Sequence, residues 1–237
     1  MLGYIITFTI LFGGYSIGVW AMGKIKRKYL FEVIFPFGIF ALYFCCVVYI
    51  AADAGVNDWN FHNALPTANV SPFLYCLTPL IFLFPKRIKK YLYTLVALLS
   101  FGLLCAGAIT CVFNITRSYA FHWQIALDSL LHGAISLFGV YLVKNGRAGL
   151  DIKSCLIGGG VIVGVAVIMM GINGILHTSF FGLSVYGEHN IYNIVVCKNG
   201  YLSAGLYFIG LCAVLTAGRF FQKLINGKWL KKVIVGE

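Results

Sequence analysis

The sequence predicts an all-α membrane protein, a bundle of seven transmembrane helices with the N-terminus outside and the C-terminus inside. Of its 237 residues, 60% are hydrophobic and 11% are charged, whereas soluble domains are about half apolar and about a quarter charged. The apolar residues fall into segments of roughly 20 residues, the length that crosses about 30 Å of hydrocarbon. No segment between them is long enough for a water-soluble core, so residues 1–237 are predicted to form a single transmembrane domain.

Each apolar segment is predicted to be one membrane-spanning helix. No basic region precedes the first segment and it has no clear small-residue cleavage site, so we expect a spanning helix there rather than a cleaved signal peptide. Pro36 predicts a kink in the second helix, and the glycine-rich sixth helix favours close helix packing. The predicted spans are about 3–23, 30–51, 68–85, 91–113, 124–143, 154–175 and 202–221.

The positive charges predict the orientation and the location. Sixteen of the eighteen Lys and Arg residues lie after the first, third and fifth segments or in the tail from Arg219; the exceptions are Arg117 and Lys198. By the positive-inside rule these loops and the tail face the cytoplasm. The net charge of +11 therefore indicates anionic membrane lipids as partners and not nucleic acid. We expect a multi-pass protein of the plasma membrane, and the sequence indicates no particular protein partner.

The segment FHWQIALDSLLHG, residues 121–133, places two ionisable side chains inside an apolar segment. Asp128 and His132 are four residues apart, so they share one face of a helix, and keeping them in hydrocarbon costs free energy. The third and fifth segments both descend from the outside, which places Cys76 and His132 at the same depth, roughly 12 Å down. If the two helices touch, His132 is a base for the Cys76 thiol and Asp128 orients the imidazole, an arrangement suited to acyl transfer.

Other interpretations of these residues stay open. Cys76 by itself is typical of a buried packing residue. Asp128 and His132 also fit a polar clasp between helices, or the proton or solute site of a transporter or permease-like subunit. A third interpretation is a membrane partner subunit without chemistry. No sequence repeat relates the first three segments to the last three, which disfavours a sugar-exporter architecture.

The remaining histidines and cysteines predict no cofactor and no metal site. Four histidines fall in predicted outer loops, but their separations match no short metal-binding motif, and solvated loop residues are the favoured interpretation. Cys111 and Cys197 both lie near the predicted outer surface, and a disulfide between them stays open. The four loop histidines are His62, His122, His177 and His189.

Three stretches carry a cysteine in the third apolar segment, a histidine–glycine pair in the fifth and an asparagine near the end of the sixth, which are Cys76, His132–Gly133 and Asn173. In this combination they resemble the YwaF-like family of bacterial integral membrane proteins. SPFLYCLTPLIFLFPKRIKKYLYTLVALLSFGLL is similar to the part of the family where a helix carries a cysteine after a short polar-aromatic run. DSLLHGAISLFGVYLV resembles the histidine–glycine pair that opens an apolar helix, and MMGINGILHTSFFGL resembles the asparagine-containing end of the sixth helix. The resemblance covers about residues 64–215. Animal relatives of this family are described as phospholipid acyltransferases that use a cysteine and a histidine.

This resemblance implies a membrane-embedded acyl-transfer enzyme that acts on lipid. Carried over by position, it implies Cys76 as the nucleophile, His132 as the base, and Asn173 at the first asparagine of the family. Ser179 lies near the position of a second family asparagine, which this chain lacks. We expect the acyl group to pass from a phospholipid through a Cys76 thioester to a second lipid or a lipoprotein. Asn173 and Ser179 are the candidate hydrogen-bond donors to an oxyanion.

Overall fold

Seven α-helices of eleven residues or more make up most of the described part of the chain. The computed structural model describes residues 2–26, 28–53, 55, 64–66, 69–116, 121–176, 181, 183, 189–191, 195–197 and 199–227, with only the backbone described for 189–191 and 195–197. Each predicted span overlaps one of these helices. They are α1 (Leu2–Ala21), α2 (Lys28–Asp53), α3 (Val70–Leu80), α4 (Lys86–Thr116), α5 (Trp123–Lys144), α6 (Ile152–Leu176) and α7 (Gly200–Asn226).

Six of these helices are long and apolar enough to cross a membrane, and α3 is the shorter one. A 3₁₀ turn at Ile81–Leu83 continues α3, so its apolar stretch ends before the predicted boundary at residue 85. Pro79 lies in the last turn of α3, where its missing N–H removes a helical hydrogen bond and favours this early end. The described residues thus form a predominantly helical bundle whose long apolar helices are compatible, by length and composition, with the predicted multi-pass membrane protein.

The helices α4 and α5 form the centre of the bundle. Within the most apolar stretch of each helix, 56% of α4 and 67% of α5 is buried, against 22% for α1, α2 and α6 and 28% for α7. Glycines allow the close approach of neighbouring helices to α4. A Cβ atom on Gly139 of α5 would lie 2.9 Å from Ser100 Cβ, and one on Gly158 of α6 would lie 2.9 Å from the Tyr91 carbonyl oxygen.

Polar contacts show that consecutive helices alternate in direction. The C-terminal ends of α1, α5 and α7 meet the N-terminal ends of α2, α4 and α6 at one end of the bundle, which we call the basic end. At the opposite end the start of α5 contacts α1 and the end of α2. The basic-end contacts are Lys144 Nζ to the Val19 carbonyl, Arg147 to Glu32, Lys90 to Asp151 and Arg219 Nε to the Leu150 carbonyl; those at the opposite end are the Tyr4 hydroxyl to the His122 N–H and the Tyr49 ring to Trp123.

An ion pair between a buried carboxylate and a half-exposed arginine anchors the start of α2 to the segment after α5. Glu32 has only 8% of its side chain exposed, and its Oε1 accepts a hydrogen bond from Arg147 Nε at 2.6 Å. The Tyr141 hydroxyl donates to the same oxygen at 3.3 Å. A buried carboxylate is tolerated only when it is paired and hydrogen-bonded, and both conditions are met here. The pair therefore holds three segments at the basic end together.

Asp151 caps the start of α6, outside the membrane-spanning segments. The Ser154 N–H donates to Asp151 Oδ1 at 2.8 Å, which satisfies one of the free donors of the first turn. Hydrogen bonds from the Ser154 side chain and backbone lower the pKa of this carboxyl. A lowered pKa means that the carboxylate stabilises the folded state above its unfolded pKa, and this contribution is lost as the pH falls through the folded pKa.

A short antiparallel ladder was not predicted from the sequence, which indicated only a loop before α7. Strand β1 (His189–Ile191) pairs with β2 (Val195–Cys197), with His189 opposite Cys197. The β-branched residues Ile191, Val195 and Val196 favour extended backbone. Pairing lets this connection satisfy backbone N–H and C=O groups locally.

We expect Gly218→Ala to destabilise the bundle much more than Gly205→Ala on the same helix. A Cβ atom at Gly218 would lie 1.7 Å from the Leu98 carbonyl oxygen, whereas Gly205 has no neighbouring heavy atom within 4 Å. Overpacking of this kind costs about 1–3 kcal/mol, while Gly205→Ala gains up to about 1 kcal/mol of helix propensity. Thermal unfolding of the detergent-purified variants, monitored by size-exclusion chromatography, measures the difference in melting temperature. Equal melting temperatures would contradict the close α4–α7 contact.

Candidate functional site

Helix α5 brings Asp128 and His132 together, as their spacing predicts. One helical turn separates them, and Asp128 Oδ2 lies 3.4 Å from His132 Nδ1. The two side chains differ in environment: 9% of the His132 side chain is exposed, against 48% for Asp128. The imidazole is therefore enclosed by the bundle, while the carboxylate lies at its edge.

Helix α3 contributes Tyr75, which sequence reasoning did not select. Its side chain is fully buried, and its hydroxyl lies 3.0 Å from His132 Nδ1 and donates to Asp128 Oδ1 at 3.4 Å. The Tyr75 and His132 rings meet edge to face, with centroids 5.9 Å apart and an interplanar angle of 89°. Tyr75 thus connects both ionisable groups of α5 to α3.

The hydrogen bonds of His132 determine which ring nitrogen carries its proton. Nδ1 lies 2.7 Å from the backbone carbonyl oxygen of Asp128, and a carbonyl oxygen can only accept. Nδ1 is therefore the N–H donor of the neutral ring, and the Tyr75 hydroxyl and Asp128 Oδ2 are further oxygens around it. In this tautomer the lone pair is on Nε2, which becomes the basic nitrogen.

Helix α2 adds Tyr43 and Cys46 to the same region. The Tyr43 ring packs on Tyr75 with centroids 5.3 Å apart, and its hydroxyl donates to the Ala64 carbonyl at 2.5 Å. The Cys76 thiol of α3 interacts with the Tyr43 hydroxyl, and Asp128 interacts electrostatically with Tyr43, Tyr75 and Cys46. Polar groups of three helices therefore converge here. We call them the α2–α3–α5 site: Tyr43, Cys46, Tyr75, Cys76, Asp128 and His132.

The predicted pair of Cys76 and His132 belongs to this site, but no hydrogen bond joins the two side chains. The Tyr75 hydroxyl lies beside His132 Nδ1, and the Cys76 thiol interacts with the Tyr43 hydroxyl instead. Tyr75 and Cys76 are consecutive residues of α3, and a helix directs consecutive side chains about 100° apart. The catalytic roles of Cys76, His132 and Asp128 stay predictions.

Asn173, predicted as an oxyanion donor, lies at the end of α6 and is fully buried. Its Nδ2 donates to the Leu183 carbonyl at 2.7 Å, which ties the segment after α6 to the helix. Phe181 in that segment packs its ring against Phe73 of α3, with centroids 5.8 Å apart. The second predicted donor, Ser179, lies outside the described residues, and the substrate-binding roles of both stay predictions.

The other candidate ligands do not form a metal cluster in the part of the chain that the structure describes. His122 is exposed and precedes α5. His62, His177 and the side chain of His189 lie outside the described residues, and so does the side chain of Cys197. Cys111 is a free, buried cysteine of α4.

Tyr75 was missed because its neighbours in the sequence form no motif that distinguishes it from the other tyrosines. The chain contains 14 tyrosines, and most tyrosines near the ends of spanning helices are interface anchors. The buried face of α3, which includes Leu74, Tyr75 and Thr78, is apparent only after folding. One signal was available: Tyr75 lies near the middle of the third apolar segment rather than at either end.

No family model, curated protein or solved structure matches this chain. The resemblance to the YwaF-like family therefore stays a prediction from the quoted motifs. Function has to be argued from the site, because a helical bundle by itself supports many activities.

We expect neutral His132 to be the Nδ1–H tautomer. The Asp128 carbonyl can accept only a hydrogen at Nδ1, so Tyr75→Phe should leave the tautomer unchanged. Nitrogen chemical shifts of ¹⁵N-histidine-labelled protein in detergent measure this, with the His132 signals assigned by their loss in His132→Gln. Signals of an Nε2–H tautomer for His132 would contradict the arrangement.

Proposed function

We propose that this chain is a proton-coupled membrane transport protein, a transporter or permease-like subunit, whose proton site comprises Tyr75, Asp128 and His132. The observation that carries the proposal is the fixed imidazole. Three oxygens surround Nδ1 of His132, two of them from Asp128 and one from Tyr75, which leaves Nε2 to take up and release a proton. Ionisable pairs inside spanning helices are typical of such paths.

The two ionisable groups of the site have different roles. Asp128 lies at the edge of the bundle, His132 lies within it, and the carboxylate faces Nδ1, which already carries a hydrogen. A proton therefore enters and leaves at Nε2, and Asp128 supplies the opposing charge. A proton bound at Nε2 creates an imidazolium whose charge is balanced by the Asp128 carboxylate. When the proton leaves, the carboxylate stays without a counter-charge, which costs free energy in a low-dielectric environment. This cost couples the protonation of the site to the binding of a solute or to a movement of α3.

Acyl transfer is the second candidate, and the position of Cys76 favours it. Its thiol lies in the same site, beside the Tyr43 hydroxyl. In this reaction His132 Nε2 takes the thiol proton and the thiolate attacks the acyl carbonyl of a phospholipid. The thioester forms as the ester bond breaks, and the lysophospholipid leaves with the proton from the imidazolium. An acceptor lipid or lipoprotein then takes the acyl group. The step requires a movement of α3 that brings the Cys76 thiol to Nε2 of His132.

We also propose that the basic end faces the cytoplasm and that the start of α5 faces outward, in the plasma membrane. The placement of the lysines and arginines supports this orientation. It makes the α2–α3–α5 site an outward-facing one, because Asp128 lies less than two turns from the start of α5.

We expect green fluorescent protein fused after Glu237 to fluoresce in cells, because it folds in the cytoplasm. Alkaline phosphatase at the same position should be inactive, since it requires an oxidising compartment. The same two reporters at the N-terminus should give the opposite pattern. An active phosphatase at the C-terminus would reverse the proposed orientation.

We expect Asp128→Asn to lower proton flux by about tenfold or more, because an uncharged amide cannot balance the charge of the imidazolium. The measurement uses purified protein in liposomes that contain the pH-sensitive dye pyranine, with a potassium diffusion potential set by valinomycin. Cys76→Ala is the matched control and should retain the flux of the unaltered protein.

Two outcomes would contradict the transport proposal. One is an unaltered protein that carries no more protons than protein-free liposomes, and the other is an Asp128→Asn variant with full flux. Acyl transfer is tested in parallel with a phospholipid that carries an alkyne-tagged acyl chain. A hydroxylamine-sensitive label on Cys76 that disappears in His132→Gln would establish the thioester.

A further inference from the structure

Buried polar side chains continue from His132 through the centre of the bundle to the basic end. They lie on α1, α4, α5 and α7, and none of them belongs to the α2–α3–α5 site except the first. The same helices also bury apolar side chains, such as Leu95, Leu98 and Phe138. We call the series the polar line: His132, Ser136, Tyr15, Ser100, Gln222 and Asn226.

The first step lies on α5 and α1. Ser136 follows His132 by one helical turn, about 6 Å along the axis, and both side chains are buried. The Ser136 hydroxyl is hydrogen-bonded to the Tyr15 hydroxyl of α1 at 3.0 Å. The Tyr15 ring lies 6.5 Å from the ring of Phe221 on α7. A pair of hydroxyls therefore bridges two helices below the imidazole and reaches toward the last turns of α7.

The second step lies between α4 and α7. Gly139, three residues after Ser136, packs directly against Ser100 of α4. The Ser100 hydroxyl donates to the Ala97 carbonyl at 2.6 Å and accepts from Gln222 Nε2 at 2.7 Å. Ser100 and Gln222 are both fully buried. Because Gly139 follows Ser136 by three residues, about 4.5 Å along α5, the second polar pair lies further toward the basic end than the first.

The last step reaches the basic end. Asn226 Nδ2 donates to Gln222 Oε1 at 3.0 Å, and Asn226 is the final residue of α7. Its Oδ1 is buried and has no hydrogen-bond partner among the described residues. An unpaired buried acceptor is costly, and Asn226 as a whole is only partly buried, so the line ends close to the surface of the bundle.

Interhelical clasps are the alternative explanation, because polar side chains commonly join helices inside membranes. Separate clasps can lie anywhere in the bundle. The pairs of the polar line instead follow one another from His132 to the basic end. Ser129 shows the contrast. It is as buried as Ser136 on the same helix, donates to the Ile125 carbonyl and interacts with the Cys111 thiol of α4, but it lies on the N-terminal side of His132, away from the basic end.

We propose that the polar line is the route by which protons pass between His132 and the basic end. The inference rests on the proposed transport function and names the residues that carry the proton onward. A hydroxyl relays a proton by accepting one on its oxygen and releasing its own, as Ser136, Tyr15 and Ser100 can. Gln222 and Asn226 hold water by hydrogen bonding, and a water molecule spans the one-turn steps between the pairs. Asp128 and Tyr75 face His132 at the other end of the route.

The experiment measures proton flux in the pyranine liposomes for Ser136→Ala and Tyr15→Phe. We expect each to lower the flux roughly fivefold or more, since each removes one relay hydroxyl and its hydrogen bond. Ser129→Ala is the matched control on α5 and should retain full flux. Ser136→Thr, which keeps the hydroxyl, should restore it. Only variants that elute as a single species by size-exclusion chromatography and melt cooperatively are compared.

The outcomes separate this inference from the function on which it rests. Flux that depends on Asp128 but is unchanged in Ser136→Ala and Tyr15→Phe overturns the polar line and leaves the transport function intact. Flux that falls equally in Ser129→Ala and Ser136→Ala also overturns it, because the loss then reflects packing. Absence of flux in the unaltered protein overturns the transport function and, with it, this route.

Discussion

The close packing of α5 against α4 determines where the polar groups of this protein lie. Gly107 of α4 sits so near α5 that an added Cβ would be 2.8 Å from the Ser129 carbonyl oxygen and 3.2 Å from His132 Cβ. Gly139 of α5 makes the corresponding approach to Ser100 of α4. Two contacts of backbone against backbone leave no freedom to slide or rotate the helices. The depth and direction of His132 and Ser136 follow from this packing.

Given that packing, satisfying buried polar groups explains the hydrogen bonds that join other helices to the central pair. In an apolar environment each polar side chain needs a partner, and for these residues the partner lies on another helix. Tyr75 of α3 meets His132, Tyr15 of α1 meets Ser136, and Gln222 of α7 meets Ser100. The contacts that hold α1, α3 and α7 to the central pair are therefore the same ones that form the site and the polar line.

The site could be predicted only where its geometry is local. Asp128 and His132 are four residues apart, so any helix brings them together, and the sequence was sufficient for that pair. The partner of His132 on α3 was not predictable in the same way. Equal depth made Cys76 the candidate, but depth leaves the rotation of α3 undetermined, and Tyr75 is the residue that meets the imidazole. The short β1–β2 ladder was missed because its strands are three residues each, too few to show alternation.

The sequence by itself determined the class of this protein: apolar segments of membrane-spanning length, their approximate ends, and basic residues gathered after alternate segments. These features depend on composition along the chain, which hydropathy and charge report directly. Tertiary structure decided everything that requires two helices: Tyr75 at His132, Tyr15 at Ser136, Gln222 at Ser100, and Glu32 with Arg147. The physical reason is that the rotation and spacing of packed helices are set by side-chain fit at their contacts, above all at the glycines, and no single segment contains that information.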